Sequence, residues 1–138
     1  VNIQGDEPKI DPNIIDSLIL LFNDSSVEMA SVASTNLTGD DLTNPNIVKV
    51  YLDDNNYALN FERNISLQDQ QYFRHIGIYA YRSEILKKFT NLDQTDNEKK
   101  FKLEQLRALD NDIAIKILIT NFQHRSIDIK DDLKYYEV

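Results

Sequence analysis

The sequence predicts an α/β protein, a mixed sheet flanked by helices with a β-hairpin inserted on it. Three observations carry this expectation. Short apolar and alternating runs recur along the chain, stretches with helical spacing separate them, and one polar tetrapeptide joins two neighbouring runs. In chain order, "VNIQ" (1–4) reads as a strand that empties into Gly5-Asp6-Glu7-Pro8. A helix is expected over 12–22, with Asp11 as N-cap, Pro12 at the first helical position, and Ile15, Leu18, Ile19 and Phe22 as its apolar face. "MASVAS" (29–34), "IVKVYLD" (47–53), "YALNFER" (57–63), "HIGIYAY" (75–81) and "IAIKILIT" (113–120) read as further strands. Asp53-Asp54-Asn55-Asn56, all turn formers, makes the second and third of these a hairpin. A short helix opened by Ser83 is expected over 83–90. A longer one covers 96–109, with Phe101, Leu103, Leu106 and Leu109 as its buried stripe, and a last turn or helix covers 131–137.

One domain, residues 1–138, accommodates this pattern, because no repeat or linker divides it and a chain of this size buries roughly two-thirds of its unfolded surface. The net charge of −8 repels nucleic acid and anionic membranes, so neither is an expected partner. No apolar run approaches the roughly 20 residues needed to span a bilayer. The absence of Cys rules out disulfides and thiolate metal sites, and fits a reducing compartment.

Several residues carry chemistry. Read alone, "VNIQGDEP" is a strand followed by a loop whose Gly takes an unusual backbone angle. The sharper reading is a metal or phosphate loop, because Asp6 and Glu7 fall at the strand end where open α/β sheets bind ligands and hard oxygens there suit Mg²⁺. Alternation along 75–81 puts His75, Gly77, Tyr79 and Tyr81 on one strand face and Ile76, Ile78 and Ala80 on the other. One face is then apolar, while the other offers hydrogen-bonding groups around a residue without a side chain. Read alone, His75 is equally a strand histidine bonded to backbone, and Asp128 a solvated charge or helix cap. Glu104 and Arg107, three apart, fit an intrahelical ion pair. Asp53-Asp54-Asn55-Asn56 lacks the ligand spacing of a calcium loop and is explained by the hairpin.

These stretches also occur as a set. "VNIQGDEP" (1–8), "NPNIVKV" (44–50), "YALNFER" (57–63), "RHIGIYAYR" (74–82) and "LEQLR" (103–107) follow one another in the order of matching blocks in one family. The chain resembles the C-terminal portion of the bacterial 3-deoxy-manno-octulosonate (KDO) cytidylyltransferases, or CMP-KDO synthetases. The resemblance implies a nucleotide-diphospho-sugar transferase-like (Rossmann-like) fold whose N-terminal nucleotide-binding part is missing from these residues. It implies that the anomeric hydroxyl of KDO attacks the α-phosphorus of CTP, giving CMP-KDO and pyrophosphate for lipopolysaccharide assembly. Asp6 and Asp128 would be the catalytic ligands of Mg²⁺. Gln4, Arg63, His75, Tyr79, Glu104 and Gln105 would contact the sugar acid, Arg63 through its carboxylate. A cytoplasmic homodimer using the hairpin region is implied as well.

The sequence departs from the family at Glu62, which precedes Arg63 and offers it a competing partner. It departs again at Ile129 and Lys130 after Asp128, and in the shortened stretch between Arg63 and Arg74. Two other readings stand beside the first. One is a cytidylyltransferase for another acidic sugar, an 8-amino-KDO or a sialic acid. The other is a non-catalytic sugar-binding or oligomerisation module. On the first reading, the 138 residues alone are expected to be inactive.

Overall fold

The computed structural model of the chain describes residues 1–4 and 10–121. Asp6, Asp128 and the helix expected over 131–137 lie outside the described residues.

All six expected strands form, in one sheet: β1 (Asn2–Ile3), β2 (Met29–Ser34), β3 (Lys49–Leu52), β4 (Ala58–Glu62), β5 (Phe73–Tyr81) and β6 (Ile115–Thr120). Their order is β4-β3-β5-β2-β6, with β1 also paired to β5. One edge of β5 pairs antiparallel with β2. The other edge takes β3 at Phe73–Arg74 and β1 at Ile78–Tyr79, both antiparallel. β2 and β6 are parallel, so β1, β2, β3 and β6 run one way and β4 and β5 the other.

The alternation read from 75–81 survives an irregularity. Ser31 opposes Tyr79, but the next residue, Val32, opposes Ile76, so Gly77 and Ile78 bulge out of the β2–β5 ladder. Two extra residues leave the period of two intact, and the two faces stay distinct. Ile76, Ile78 and Ala80 join Ala30, Val32, Ile14 and Leu18 in one buried cluster. Tyr79 joins Met29, Ala33, Phe61, Phe89, Leu106 and Ile117 in the other. The first cluster is capped by α1 (Pro12–Leu20), the second by α3 (Ser83–Thr90), α5 (Gln105–Asp110) and the hairpin β3–β4. Leu18, Met29 and Val32 have no exposed surface, and burial of such side chains contributes about 1.5–3 kcal/mol each.

The hairpin does more than extend the sheet edge. Its turn is closed by Asp53, whose carboxylate accepts from the Asn55 and Tyr57 amides, with Asn56 in the left-handed region at φ 64°. The tip crosses the second cluster to reach β6 at the far side of the sheet. There the Ile117 amide donates to the Asn56 carbonyl, Tyr57 bridges Lys116, and the Lys116 ammonium bonds the Asn55 carbonyl above the Tyr57 ring.

The helices depart from expectation in identifiable ways. Asp11 caps α1 as expected, its carboxylate accepting from the Asn13 amide at 2.9 Å. The buried residues of α1 are Ile14 and Leu18, whereas Ile19 is exposed and Ile15 and Phe22 are half-buried. Ile14, Ile15, Leu18, Ile19 and Leu20 wrap much of the helix, so spacing alone did not choose the face. Helix α3 covers 83–90 and opens with Ser83 as expected, following Arg82 at the cap position, with no side-chain cap. Its Glu84 and Lys87–Lys88 instead complement the helix dipole. The helix expected over 96–109 is two helices, α4 (Asp96–Phe101) and α5, separated by Lys102 in the left-handed conformation (φ 55°). The break turns Phe101 outward while Leu103 and Leu106 stay buried and Leu109 is half-buried. Sequence reading also missed α2 (Gly39–Thr43), which carries a Thr38/Asp41 capping box.

Candidate functional site

Four of the sequence-predicted residues meet in one crevice. Gln4, Tyr79, Glu104 and Gln105 line it, together with Asn2, Met29, Tyr81 and Phe89. Strand pairing explains half of this set. Asn2 opposes Tyr79, and the Gln4 amide bonds the Gly77 carbonyl at 3.1 Å, so residues 2 and 4 share the face of 77 and 79. The glycine is required by the Gln4 side chain. A Cβ at Gly77 would lie 2.2 Å from Gln4 Oε1 and 2.8 Å from its Cδ.

The helix break supplies the other half. Lys102 in the left-handed region lets the chain drop Leu103 into the core and restart a helix at Gln105, with Glu104 at the cap position. Arg63 secures this junction. Its guanidinium donates to the carbonyls of Phe101 (3.3 Å), Lys102 (3.3 Å) and Pro45 (3.2 Å). A buried ammonium at Lys49 adds a second tie, donating to the Asn44 carbonyl at 2.6 Å and the Arg63 carbonyl at 2.5 Å. Desolvation pushes the Lys49 pKa down, aided by Arg63 and Arg74 and opposed by Asp41.

Arg63 is therefore not brought to the other residues. It lines a larger cleft, about 640 Å³, between β4 and α4–α5, with Leu59, Glu62, Phe101 and Lys102 among its walls. Size does not make this cleft the substrate site, because it gathers only one of the six described candidates, and that one is bonded to backbone. Glu62 does not pair with Arg63 either. Its carboxylate accepts from the Ser66 amide and hydroxyl, both at 2.8 Å. Nor does Glu104 pair with Arg107, whose guanidinium forms a bidentate bond to Glu98 (2.6 and 2.8 Å) over the Phe89 ring. Glu98 reaches it from the preceding helix, and the pair holds the Glu98 carboxyl below its ordinary range. Glu104 is left exposed at the crevice mouth.

His75 stands beside the crevice, its ring 5.6 Å from Tyr79 and edge-on to Phe61 at 4.9 Å. Its Nε2 is 2.8 Å from the Ser31 hydroxyl. Enclosure of the ring lowers its pKa to about 3, so it is neutral across the physiological range and serves as a hydrogen-bonding group, not a proton shuttle. Tyr81, which alternation put on this face, is a crevice residue too. Burial, with the Glu104 charge second, raises its phenol to about 12 and keeps it a donor.

Gln105 is the most informative member. It is 5% exposed, lines the crevice, and its side-chain amide has no hydrogen-bond partner among the described residues. A buried amide without partners is destabilising unless a group beyond those residues satisfies it. The enclosed part of the crevice is about 20 Å³, room for a water-sized group. A larger ligand would lie across the mouth, over Gln4 and Glu104, and send one polar group inward. Among the described residues no cluster of His, Asp or Glu is suited to a metal ion.

Comparisons with known proteins bear on the fold and the family. The family model described as "Cytidylyltransferase" matches residues 1–117. The 3-deoxy-manno-octulosonate cytidylyltransferase of Chloroherpeton thalassium is 43% identical over 96% of this chain and 58% of its own length. That of Thermodesulfovibrio yellowstonii is 40% identical over 99% of this chain and 58% of its own. A solved CMP:2-keto-3-deoxy-manno-octonic acid synthetase complexed with CTP superposes with a TM-score of 0.88 at 28% identity, covering 98% of this chain and 58% of that one. The chain thus spans somewhat over half the length of these relatives. A mixed sheet with this hairpin, joined to these sequence blocks and to the family model over residues 1–117, places the chain in the cytidylyltransferase family.

Proposed function

We propose that this chain is the sugar-binding side of an enzyme that transfers CMP from CTP to the anomeric hydroxyl of KDO. The anomeric hydroxyl gives up its proton to solvent as its oxygen forms a bond to the α-phosphorus, the bond to the bridging oxygen breaks, and pyrophosphate leaves with its electron pair. The carrying observation is Gln105, a buried amide without a partner among the described residues, at the base of a crevice that also gathers Gln4, Tyr79, Tyr81 and Glu104. Carboxamides, a carboxylate and phenols are the groups that hold a polyhydroxylated acid by its hydroxyls, and their fixed placement aims the anomeric oxygen. His75, neutral, adds a further hydrogen bond to the sugar. The names of the relatives and the CTP in the solved neighbour support this choice of substrates.

Asp6 and Asp128 are the proposed Mg²⁺ ligands. Carboxylates are the donors a hard divalent cation takes, and β1 and β6, which precede them, point the same way. The two strands lie three strand spacings apart in the sheet, about 14 Å. When bound, Mg²⁺ supplies neutralisation of the charge developing on the phosphates. A homodimer is proposed through the hairpin side, where Leu59 and Phe101, about half exposed, flank the 640 Å³ cleft. A cytoplasmic location and a product destined for lipopolysaccharide belong to the same proposal.

The test is pyrophosphate release with CTP, Mg²⁺ and KDO, using the chain completed by the uncovered remainder of the Chloroherpeton thalassium relative. Turnover with KDO that exceeds turnover with 8-amino-KDO and sialic acid supports the proposal; a preference for either of these replaces KDO as the substrate. The 138 residues by themselves are expected to release no pyrophosphate. Sedimentation of wild type beside Leu59→Glu tests the dimer, which the variant should dissociate.

A further inference from the structure

The bulge in β5 and the residue that fills it carry an inference beyond the choice of substrate. Ser31 lies in the middle of β2 with no exposed surface. Its hydroxyl oxygen is 2.8 Å from the Ile78 carbonyl, 3.4 Å from the Ile76 carbonyl and 2.8 Å from His75 Nε2. A hydroxyl has one proton to give. Carbonyl oxygens only accept, so the close contact with Ile78 is a bond only if Ser31 donates to it. Were the proton given to His75 instead, two acceptor oxygens would face each other at 2.8 Å in a buried site. Ser31 thus donates to Ile78 and must accept from His75, which means that Nε2 carries the ring proton.

The imidazole has one other nitrogen. With Nε2 protonated and the ring neutral, Nδ1 is a bare acceptor, and it has no partner among the described residues. We propose that Ser31 is a positioning residue that fixes His75 as its Nε2–H tautomer, so that Nδ1 accepts a hydrogen bond from a substrate hydroxyl. The role of the ring is then specific in sign. It selects a donor at that point of the sugar, and it would reject a carboxylate or carbonyl oxygen presented there. The same bond uses the bulge: Ser31 reaches both His75 and Ile78 because Gly77 and Ile78 are pushed out of the ladder. The acceptor half of this proposal rests on the sugar-site reading given above; the tautomer half does not.

Long-range proton–nitrogen correlation spectra of the 138-residue chain, with ¹⁵N-labelled histidine at neutral pH, test it directly. The His75 ring should show a protonated Nε2 and a bare Nδ1. Ser31→Ala should give a mixture of both tautomers, and Ser31→Thr, which keeps the hydroxyl, should restore the single form. A wild-type ring protonated at Nδ1 overturns the proposal without recourse to any variant, and so does a Ser31→Ala ring that stays wholly Nε2–H. Titration with KDO should move the Nδ1 resonance in the direction of hydrogen-bond acceptance. Affinity should fall about tenfold in Ser31→Ala and return in Ser31→Thr. A shift at the Gln105 side-chain amide without one at Nδ1 overturns the acceptor role alone. No sugar-dependent shift at either residue overturns the acceptor role and the site reading together.

Discussion

Replacing Gln105 with Met should make the protein more stable and less able to bind sugar. Gln105 is 5% exposed with an amide unpartnered among the described residues, and a buried polar group left unsatisfied costs roughly 1–3 kcal/mol. Met keeps nearly the same length and volume, so no cavity opens beside Leu106 and Phe89. Removing the penalty while retaining the packing should raise the unfolding free energy by about 1 kcal/mol, or roughly 4 °C in Tm for a chain of this size. Urea denaturation of the 138-residue chain, followed by circular dichroism, measures the first effect. Calorimetric titration with KDO measures the second, expected as about a tenfold loss of affinity because one hydrogen bond to the ligand disappears. The signs are opposite, and that is the discriminating feature. A Gln105→Met chain that loses 1 kcal/mol or more shows that the amide is satisfied within the fold. One that gains stability and binds KDO as before removes Gln105 from the sugar site.

Three further expectations follow from the same geometry. Gly77→Ala places a Cβ 2.2 Å from Gln4 Oε1 and must displace that side chain. Backbone strain is not at issue, since Gly77 does not have positive φ, so stability should change by less than about 1 kcal/mol while sugar KM in the completed enzyme rises. In a Gln4→Ala background the same change should have no further effect on KM, and an undiminished effect there disproves the displacement. For pH, His75 falls from an ordinary 6.5 to about 3 on folding, so its contribution is fully present above 6.5 and is lost as pH drops towards 3. Wild type should lose about 2 kcal/mol relative to His75→Gln between pH 7 and pH 5, measured as the difference between two denaturation series; parallel series would contradict an enclosed ring. Glu98, whose carboxyl is held low by Arg107, keeps its full contribution above its ordinary value of 4.5 and loses it only below that, outside this window. Arg63→Met removes three bonds to the carbonyls of Pro45, Phe101 and Lys102. Amide hydrogen exchange at 101–105 should speed up more than elsewhere, and uniform exchange would show that the junction holds itself.

The strands were legible because period two survives every complication in this sheet, even the bulge at Gly77–Ile78, where two extra residues cancel in parity. Tyr79 and Tyr81 could be assigned to a face from sequence for that reason. The α4–α5 break was not legible, because Lys102 takes the left-handed conformation without being Gly or Asn, and apolar spacing at Leu103, Leu106 and Leu109 continues a helical pattern across it. A usable signal lay upstream: Thr95 with Glu98 and Thr38 with Asp41 are both capping boxes, and the second would have revealed α2. Glu104 and Arg107 satisfied the spacing rule for a pair, yet a better partner for Arg107 arrived from another helix at Glu98, a tertiary fact that local spacing does not contain. At the site, family blocks pointed to Gln4, His75, Tyr79, Glu104 and Gln105. Ser31 went unnoticed because a serine in an apolar strand signals nothing until its neighbours across the ladder are known. Arg63 looked like a carboxylate ligand by its chemistry and proves to be bonded to backbone.

The crossing of the hairpin tip onto β6 has a consequence for how the chain comes into being. Residues 49–62 emerge from a ribosome well before residues 115–120, yet the Asn56 carbonyl and Tyr57 find their partners only at Ile117 and Lys116. Until β6 is made, β2 lacks its parallel neighbour and the hairpin arches over an unfinished layer. Vectorial synthesis therefore leaves Met29, Ala33 and Phe61 wet, and the fold is sealed by its last described strand. Contacts of this sequence separation are slow to close, and a nascent chain stalled before Ile115 would present sticky surface to chaperones.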